Sequence, residues 1–255
     1  MNMVVILKQT FDTEERIVIR DGEVSDDGVK YVINPYDEYA VEEALRLKEQ
    51  HGGNITVLSV GPERTAEALR TALAMGADEA VLVSDDRIPC DEFTISKVLA
   101  AYLSKQPYDI ILGGNFSVDT GGGQVAIRLA QLLNIPHAAS ITKLDITNQR
   151  ATAVRDAEGD TETIEIPLPA LFTAQQGLNE PRYPSLPGIM KAKKKPFQQL
   201  GLDDIGLSTA DLTIKTERLT LTLPPERKAG KILKGDIKQQ ASELVSLLRT
   251  EAKLI

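Results

Sequence analysis

Short apolar runs alternate with amphipathic stretches of helical length over the first 134 residues. Strand-length runs occupy 3–8, 54–63, 77–83 and 108–114, and helical patterns occupy 33–53, 63–76, 91–106 and 122–134. The first run is rich in Val, Ile and Leu, which is typical of a strand buried on both faces. Strands that alternate with helices predict a doubly wound parallel sheet, so we expect an α/β, Rossmann-like fold.

The pattern changes after residue 138. Residues 139–174 contain short β-rich runs with turn signals at Asn148 and Gly159, which predict β-hairpins added to the same domain. Little helical period follows until the stripe of Ala and Leu near the end of the chain. We therefore predict an α/β nucleotide-binding domain at 1–176 and an extended C-terminal arm at 177–255, with a terminal helix at about 237–252.

Composition and charge exclude several classes of protein. The net charge of −8 argues against general nucleic-acid binding. Cys90 is the only cysteine, so no intramolecular disulfide can form and a reducing compartment is favoured. Because no run approaches the roughly 18 consecutive apolar residues of a spanning helix, we expect a cytoplasmic protein without direct membrane insertion.

A glycine-rich stretch, GGNFSVDTGGGQVAIRL at 113–129, joins the fourth strand to the fourth helix. Glycines let the backbone approach a ligand, and a helix N-terminus favours an anion, so the stretch is suited to a phosphate. It is not a Walker loop, because no Gly-Lys-Ser/Thr is present. Gly121-x-Gly123-x-x-Ala126 matches the dinucleotide pattern, but it follows the fourth strand and lacks the later acidic residue. The alternative is a tight strand-to-helix turn.

Ligands of open α/β sheets bind outside the carboxyl ends of the strands. The loops at 8–13, 60–63, 84–90 and 113–123 leave those ends in the predicted order. A phosphate on Gly121–Gln124 would bring a nucleoside near Ile6, Asn34 and Val60, although Asn34 could equally be a plain helix cap.

No arrangement of catalytic residues is evident. His51, His137 and Cys90 have no obvious acid, base or nucleophile partner, and they cannot form a zinc site. The acidic pairs Asp85-Asp86 and Asp91-Glu92 are more typical of loop solvation and helix capping than of a metal site. We therefore predict neither a catalytic centre nor a bound metal.

The segment 178–196, LNEPRYPSLPGIMKAKKKP, carries four prolines and four lysines. Proline lacks an N–H donor, so the segment is not expected to form an ordinary helix or a central strand. A solvated linker would not need Leu186, Ile189 and Met190. An apolar, basic and proline-stiffened segment in an acidic protein favours docking onto an acidic partner.

This segment resembles the signature of the electron transfer flavoprotein β subunit. VVILKQTFD, INPYDEYAVEEALRLKE, LRTALAMGADEAVLV and SVDTGGGQV also resemble that family and occur in the same order, so the resemblance covers essentially the whole chain. It implies an electron-carrier subunit without its own catalytic site. That subunit pairs with an α subunit, which mainly holds one redox-active FAD, and it holds a structural AMP. The heterodimer would take electrons from acyl-CoA and related dehydrogenases, as in fatty acid oxidation, and pass them to a membrane quinone oxidoreductase.

The resemblance also assigns residues. The implied AMP site comprises Ile6, Asn34, Val60, Asp119, Gly121, Gly122, Gly123, Gln124 and Val125, with Tyr36 and Thr13 near the flavin. Many family members have Asp or Asn with Thr or Cys where this chain has three glycines, so backbone contacts to the phosphate are expected here. The implied docking residues are Leu186 as the anchor, with Pro187, Ile189, Met190 and Lys191.

Two alternatives remain open beside this interpretation. One is a flavin-bifurcating relative that binds a second FAD in place of AMP and oxidises NADH. The other is a stand-alone nucleotide sensor, which the segment 178–196 disfavours because a sensor has no need of a docking arm.

Overall fold

The computed structural model describes residues 1–227 and 229–255. Its helices are α1 (Pro35–His51), α2 (Ala66–Met75), α3 (Glu92–Leu103), α4 (Val125–Leu133), α5 (Leu186–Ala192), α6 (Leu202–Ile205) and α7 (Ile237–Thr250). Its strands are β1 (Asn2–Ile6), β2 (Gln9–Phe11), β3 (Ile19–Arg20), β4 (Glu23–Val24), β5 (Tyr31–Ile33), β6 (Asn54–Val60), β7 (Glu79–Val83), β8 (Ile110–Gly114), β9 (His137–Thr147), β10 (Arg150–Ala157), β11 (Asp160–Pro167), β12 (Ala170–Ala174) and β13 (Phe197–Leu200).

Nine of the strands form one sheet in the order β11-β10-β9-β12-β8-β1-β6-β7-β13. Every neighbouring pair from β9 to β13 in this order is parallel, and only the pairs made by β10 are antiparallel. The predicted doubly wound α/β fold is therefore confirmed. The chain moves outward from β1 in one direction through β6 and β7, and it then returns to the other side of β1 with β8.

Apolar residues fill both faces of this sheet. Met3 and Val5 pack with α1 and α2 on one face, whereas Val4 and Ile6 pack with α3 and α4 on the other. Successive side chains of a strand point to opposite faces, so a run of apolar residues is what a central strand between two helical layers requires.

Local signals account for most helix ends. Asp91 caps α3, because its Oδ1 accepts a hydrogen bond from the Thr94 N–H at 3.0 Å. α1 begins at Pro35, as expected for a residue that lacks an N–H, and ends before Gly52. Asn34 makes no capping hydrogen bond to α1, so the simple cap is not the role of its side chain.

The predicted hairpins are present. β9, β10 and β11 form an antiparallel meander with turns at Asn148 and Gly159, and both turn regions contain positive-φ residues. The chain then returns as β12, which lies parallel between β8 and β9.

The predicted α/β domain ends at residue 176. In the structure, the chain continues to pack on this domain for about thirty more residues. Residues 186–192 form a helix, because Ser185 caps it through the Gly188 N–H and Pro187 occupies the first turn, where no N–H is needed. β13 then pairs with β7, and Leu202 and Ile205 are buried in the core. Most of the described residues between Gly206 and α7 lack regular structure. α7 lies within the predicted range of about 237–252.

Within the described ranges, no helix has the length and apolar character that a membrane crossing requires.

Candidate functional site: a cleft at the carboxyl ends of the strands

A cleft opens where β1 lies between β6 and β8, outside the carboxyl ends of these strands. Its cavity volume is about 170 Å³, which is roughly ten times the space that one water molecule needs. This position is where the strand order reverses, and it is the usual ligand site of an open α/β sheet. The cleft is lined by the end of β1, the end of β6, the loop before α3 and the glycine-rich loop before α4.

The glycine-rich loop lines the cleft and carries unpaired backbone amides. Within the part of the chain that the structure describes, the N–H groups of residues 122–127 donate to no protein acceptor. Those of 125–127 belong to the first turn of α4, where an α-helix leaves its N–H groups unpaired. Positive φ angles at Gly121 (67°) and Gly123 (59°) make this loop path accessible to glycine. A cluster of free amides at a helix N-terminus is suited to an anion.

Asn34 holds the glycine-rich loop in place. Its Nδ2 donates to the Phe116 carbonyl oxygen at 2.9 Å, and its Oδ1 accepts from the Val118 N–H at 3.1 Å. Asn34 is 1% exposed, and the loop provides a partner for both polar groups of its side chain, as burial requires. The sequence left two roles open for Asn34, a contact with the nucleoside or a plain helix cap. In the structure, Asn34 lines the cleft and its side chain holds the loop next to the start of α1.

Asp37 joins the ends of β1 and β8. Its Oδ2 accepts from the Lys8 N–H at 2.7 Å and its Oδ1 from the Gly114 N–H at 2.8 Å. Burial raises the pKa of Asp37 to about 7, and the hydrogen bonds that its carboxylate accepts oppose this shift only in part. A β-carbon at Gly114 would overlap Asp37 and the backbone of Tyr36, so only glycine allows this approach.

Lys8 lies at the other side of the loop and is paired with Asp119 at 2.7 Å. Burial of Asp119 favours its neutral form, but the charge and hydrogen bonds of Lys8 prevail and hold the pKa of this carboxyl below its ordinary value. Ser117 and Thr120 complete the network, with their hydroxyl oxygens 2.9 Å apart. The only cationic side chain lining the cleft in the described ranges is thus already engaged.

A second feature lies away from the cleft, where the segment 178–196 packs on α1 and α2. Arg182 makes a two-pronged ion pair with the buried Glu42, with both Nε–Oε2 and Nη2–Oε1 at 2.8 Å, and it also reaches Glu49 at 2.7 Å. Asn179 donates to the Tyr39 carbonyl oxygen and to Glu43. Burial raises the pKa of Glu43 above its ordinary value, although Asn179 and Arg46 oppose the shift.

α5 is fixed on the end of α2 with its apolar side chains turned outward. A β-carbon at Gly188 would overlap the Ala74 carbonyl oxygen, and the neighbouring Ala192 is buried. Leu186 is 80% exposed, Met190 73% and Tyr183 94%. An apolar tip held on a rigid base is suited to a partner, because little conformational entropy is lost on docking.

The lysines of this segment do not all face solvent. Lys195 donates to the carbonyl oxygens of Leu73 at 2.9 Å and Ala77 at 2.5 Å, at the C-terminal end of α2. A cation is favourable at that end of a helix. Lys195 therefore holds α2 and is not part of a freely solvated basic patch.

Comparison with known proteins decides the family. Residues 21–205 match the family described as the electron transfer flavoprotein domain. The electron transfer flavoprotein subunit beta of Bacillus subtilis (strain 168) is 58% identical over all of this chain and all of its own length. The corresponding protein of Syntrophomonas wolfei is 39% identical over all of this chain and 98% of its own, and the mitochondrial protein of Oryza sativa subsp. japonica is 36% identical over the full length of both.

The chain belongs to the electron transfer flavoprotein β-subunit family. This confirms the resemblance recognised in the sequence and makes the chain a subunit of an electron transfer flavoprotein. Flavin-dependent electron transport is therefore its general function.

The structure brings together most of the residues that the family resemblance assigns to a nucleotide. Asp119 and Gly121 do not line the cleft, but Asp119 contacts it indirectly through Lys8. The residues that do line it are Ile6, Asn34, Val60, Gly122, Gly123, Gln124 and Val125. Their binding of AMP stays a prediction.

Sequence reasoning missed Lys8, Asp37, Phe116 and Glu92. Lys8 lies two residues after Ile6 and Asp37 directly follows Tyr36, so their proximity to predicted site residues was a usable signal. Glu92 carries no such signal, because its place beside the loop depends on how α3 packs against α4.

The residues expected near a flavin lie outside the cleft. Tyr36 packs against Phe116 with ring centroids 4.2 Å apart, and Thr13 is exposed in a turn after β2. No group of three or more potential metal ligands occurs among the described residues. Cys90 is exposed at the cleft, His51 ends α1 and His137 begins β9.

Proposed function

We propose that this chain is the β subunit of a heterodimeric electron transfer flavoprotein that holds AMP in the cleft. The FAD is shared with the α subunit and held mainly by it, near Tyr36 and Thr13. The heterodimer takes electrons from acyl-CoA and related dehydrogenases in fatty acid oxidation and passes them to a membrane quinone oxidoreductase. The chain acts in the cytoplasm as an electron-carrier subunit without a catalytic site of its own.

The observation that carries the AMP site is the row of free amides at residues 122–127 beside an apolar floor. The amides and the N-terminus of α4 suit a phosphate. Ile6, Leu58, Val60, Ile95 and Leu99 offer a surface against which a flat base can pack.

The α subunit is proposed to bind over residues 213–255 of this chain. Residues 213–255 carry many large apolar side chains that are exposed in the single chain, and such a surface indicates a protein interface. They are Ile214, Leu219, Leu223, Ile232, Ile237, Leu244, Val245, Leu254 and Ile255.

The dehydrogenases are proposed to dock on the tip of α5. Leu186 is the anchor, because it is almost fully exposed on a base that Gly188 and Arg182 hold. Pro187, Ile189, Met190 and Lys191 would surround it at the interface. Apolar anchors of this kind supply most of the energy of an interface, and the lysine steers the encounter with an acidic partner.

The experiment that tests these proposals is extraction of the bound nucleotides from heterodimer purified after co-expression with its α subunit. We expect one FAD and one AMP per heterodimer, a colourless β chain when it is purified alone, and flavin reduction by an acyl-CoA dehydrogenase with its substrate. Two FAD and no AMP would replace the proposal by the bifurcating alternative. Absence of any adenine nucleotide besides the single FAD would overturn the AMP site.

A further inference from the structure

The cleft is lined by more negative than positive side chains. Asp37, Asp91 and Glu92 line it together with Lys8, the one cationic side chain lining it in the described ranges. Three of these four side chains already bind other groups of the protein. Asp37 accepts two backbone N–H groups, Asp91 holds the Thr94 and Lys215 N–H groups at 3.0 Å each, and Lys8 is paired with Asp119.

Glu92 differs from these residues because its side chain accepts no backbone N–H group and pairs with no cation in the described ranges. It forms no ion pair within residues 1–227 and 229–255, and its polar contact is Thr216 Oγ1, 3.5 Å from Oε2. Its other oxygen faces the glycine-rich loop, since a β-carbon built on Gly122 would lie 2.7 Å from Oε1. A half-buried carboxylate thus borders the same loop that presents free amides.

The loop amides and the Glu92 carboxylate act differently on a phosphorylated ligand. The N–H groups of residues 122–127 can donate hydrogen bonds to the oxygens of a single phosphate without any cation. A second phosphate adds negative charge and finds no free lysine or arginine lining the cleft in the described part of the chain. It would instead approach the Glu92 carboxylate, and like charges in a partly shielded site repel one another strongly.

We propose that Glu92 is a specificity-determining residue that restricts the cleft to nucleoside monophosphates by repelling a second phosphate group. The inference rests on the proposed binding of AMP and adds a reason why ADP, ATP and dinucleotides with a pyrophosphate are rejected. Two features give the selectivity. A carboxylate without a cationic partner lies beside the loop amides, and no free cationic side chain lines the cleft in the described ranges.

The test is calorimetric titration of the nucleotide-free full-length chain with adenosine, AMP and ADP, at constant ionic strength and with EDTA. Glu92→Gln keeps the shape of the side chain and removes its charge. The matched control is Glu67→Gln, which removes the same charge from the exposed first turn of α2, away from the cleft. We expect ADP to bind about tenfold more tightly to Glu92→Gln, AMP to gain less and adenosine to stay unchanged.

The decisive quantity is the ratio of the ADP and AMP dissociation constants. An unchanged ratio in Glu92→Gln, or an equal change in Glu67→Gln, overturns the role of Glu92. If Glu92→Gln folds poorly, Glu92→Asp serves instead, because it draws the carboxylate back by one methylene and should lower the ratio by a smaller factor. Failure of adenosine and AMP to bind the wild-type chain would overturn the proposed AMP site itself, which is a distinguishable outcome.

Discussion

Gly188 in α5 lies against the carbonyl oxygen of Ala74 at the end of α2, with no room for a β-carbon between them. The backbone of Ala74 cannot move aside without disturbing α2, so the contact fixes where α5 sits. The segment predicted from its sequence to be part of an extended arm is thus a rigid platform for Leu186 and Met190.

Gly188→Ala should displace α5 and weaken docking of partner dehydrogenases, while the nucleotide content of the heterodimer stays at the wild-type level. Hydrogen exchange of residues 186–192 measures the displacement, and flavin reduction by a dehydrogenase measures docking. Gly230→Ala is the matched control, because a β-carbon there meets nothing within 4 Å. Wild-type exchange rates in Gly188→Ala would show that the contact does not restrain α5.

Leu186→Ala should weaken docking without lowering the melting temperature, because the side chain is 80% exposed in the single chain. Loss of one buried leucine at an interface is worth about 2 kcal/mol, or about a 30-fold loss of affinity. The change should appear mainly as faster dissociation in surface plasmon resonance. Leu132→Ala removes an exposed leucine of α4, outside both proposed interfaces, and should leave dehydrogenase binding intact. A lower melting temperature with normal binding would contradict the anchor role.

Gly122→Val should reduce AMP content and heterodimer stability but leave flavin chemistry largely unchanged. A branched side chain there would block the approach of a phosphate to the loop amides, and it would also press on Glu92. Loss of a ligand present at 100 to 1,000 times its dissociation constant removes roughly 3–4 kcal/mol of stability. Nucleotide extraction and thermal melts measure both effects. Normal AMP content in the variant would mean that the phosphate does not bind at this loop.

Asp37 should make the stability of the protein fall as the pH rises from about 4 to about 7. Burial raises the pKa of Asp37 from 3.8 to about 7, so in this window the folded state keeps a proton that the unfolded state releases. Stability rises with pH only where the unfolded state binds more protons, and here the folded state binds more.

The measurement is urea unfolding of wild type and Asp37→Asn between pH 4 and 8. The asparagine does not titrate, so the stability of wild type relative to the variant should decline across this window and level off above pH 7. Each pH unit changes the difference by at most about 1.4 kcal/mol for one proton. A difference that is independent of pH would show that Asp37 is already ionised at pH 4.

Arg182→Met should destabilise the protein by roughly 1–3 kcal/mol, because it leaves the buried Glu42 carboxylate without its partner. Release of Arg182 should also increase hydrogen exchange in α5. Arg218→Met is the control, since Arg218 pairs with Glu23 on the surface with both side chains exposed, and its loss should cost less than about 0.5 kcal/mol. Equal effects of the two variants in urea unfolding would contradict a stabilising role of the Arg182–Glu42 ion pair.

The sequence by itself determined the class of fold and the order of its elements. The apolar run of β1, the stripe of α1 and the glycines that end α1 and α2 are local patterns, and each is set by residues a few positions apart. The glycine-rich loop was predictable for the same reason, because its three consecutive glycines stand between a predicted strand and a predicted helix. The motif of 178–196 also identified the family without any coordinates.

Only the tertiary structure decided which distant residues meet. Arg182 and Glu42 are 140 positions apart, β13 pairs with β7 across more than 110 residues, and Lys195 reaches the end of α2. Sequence periodicity shows which face of an element is buried, but it does not show which neighbour covers that face. Glu92 illustrates the same limit, since its position beside Gly122 depends on the packing of α3 against α4 and not on any pattern around it.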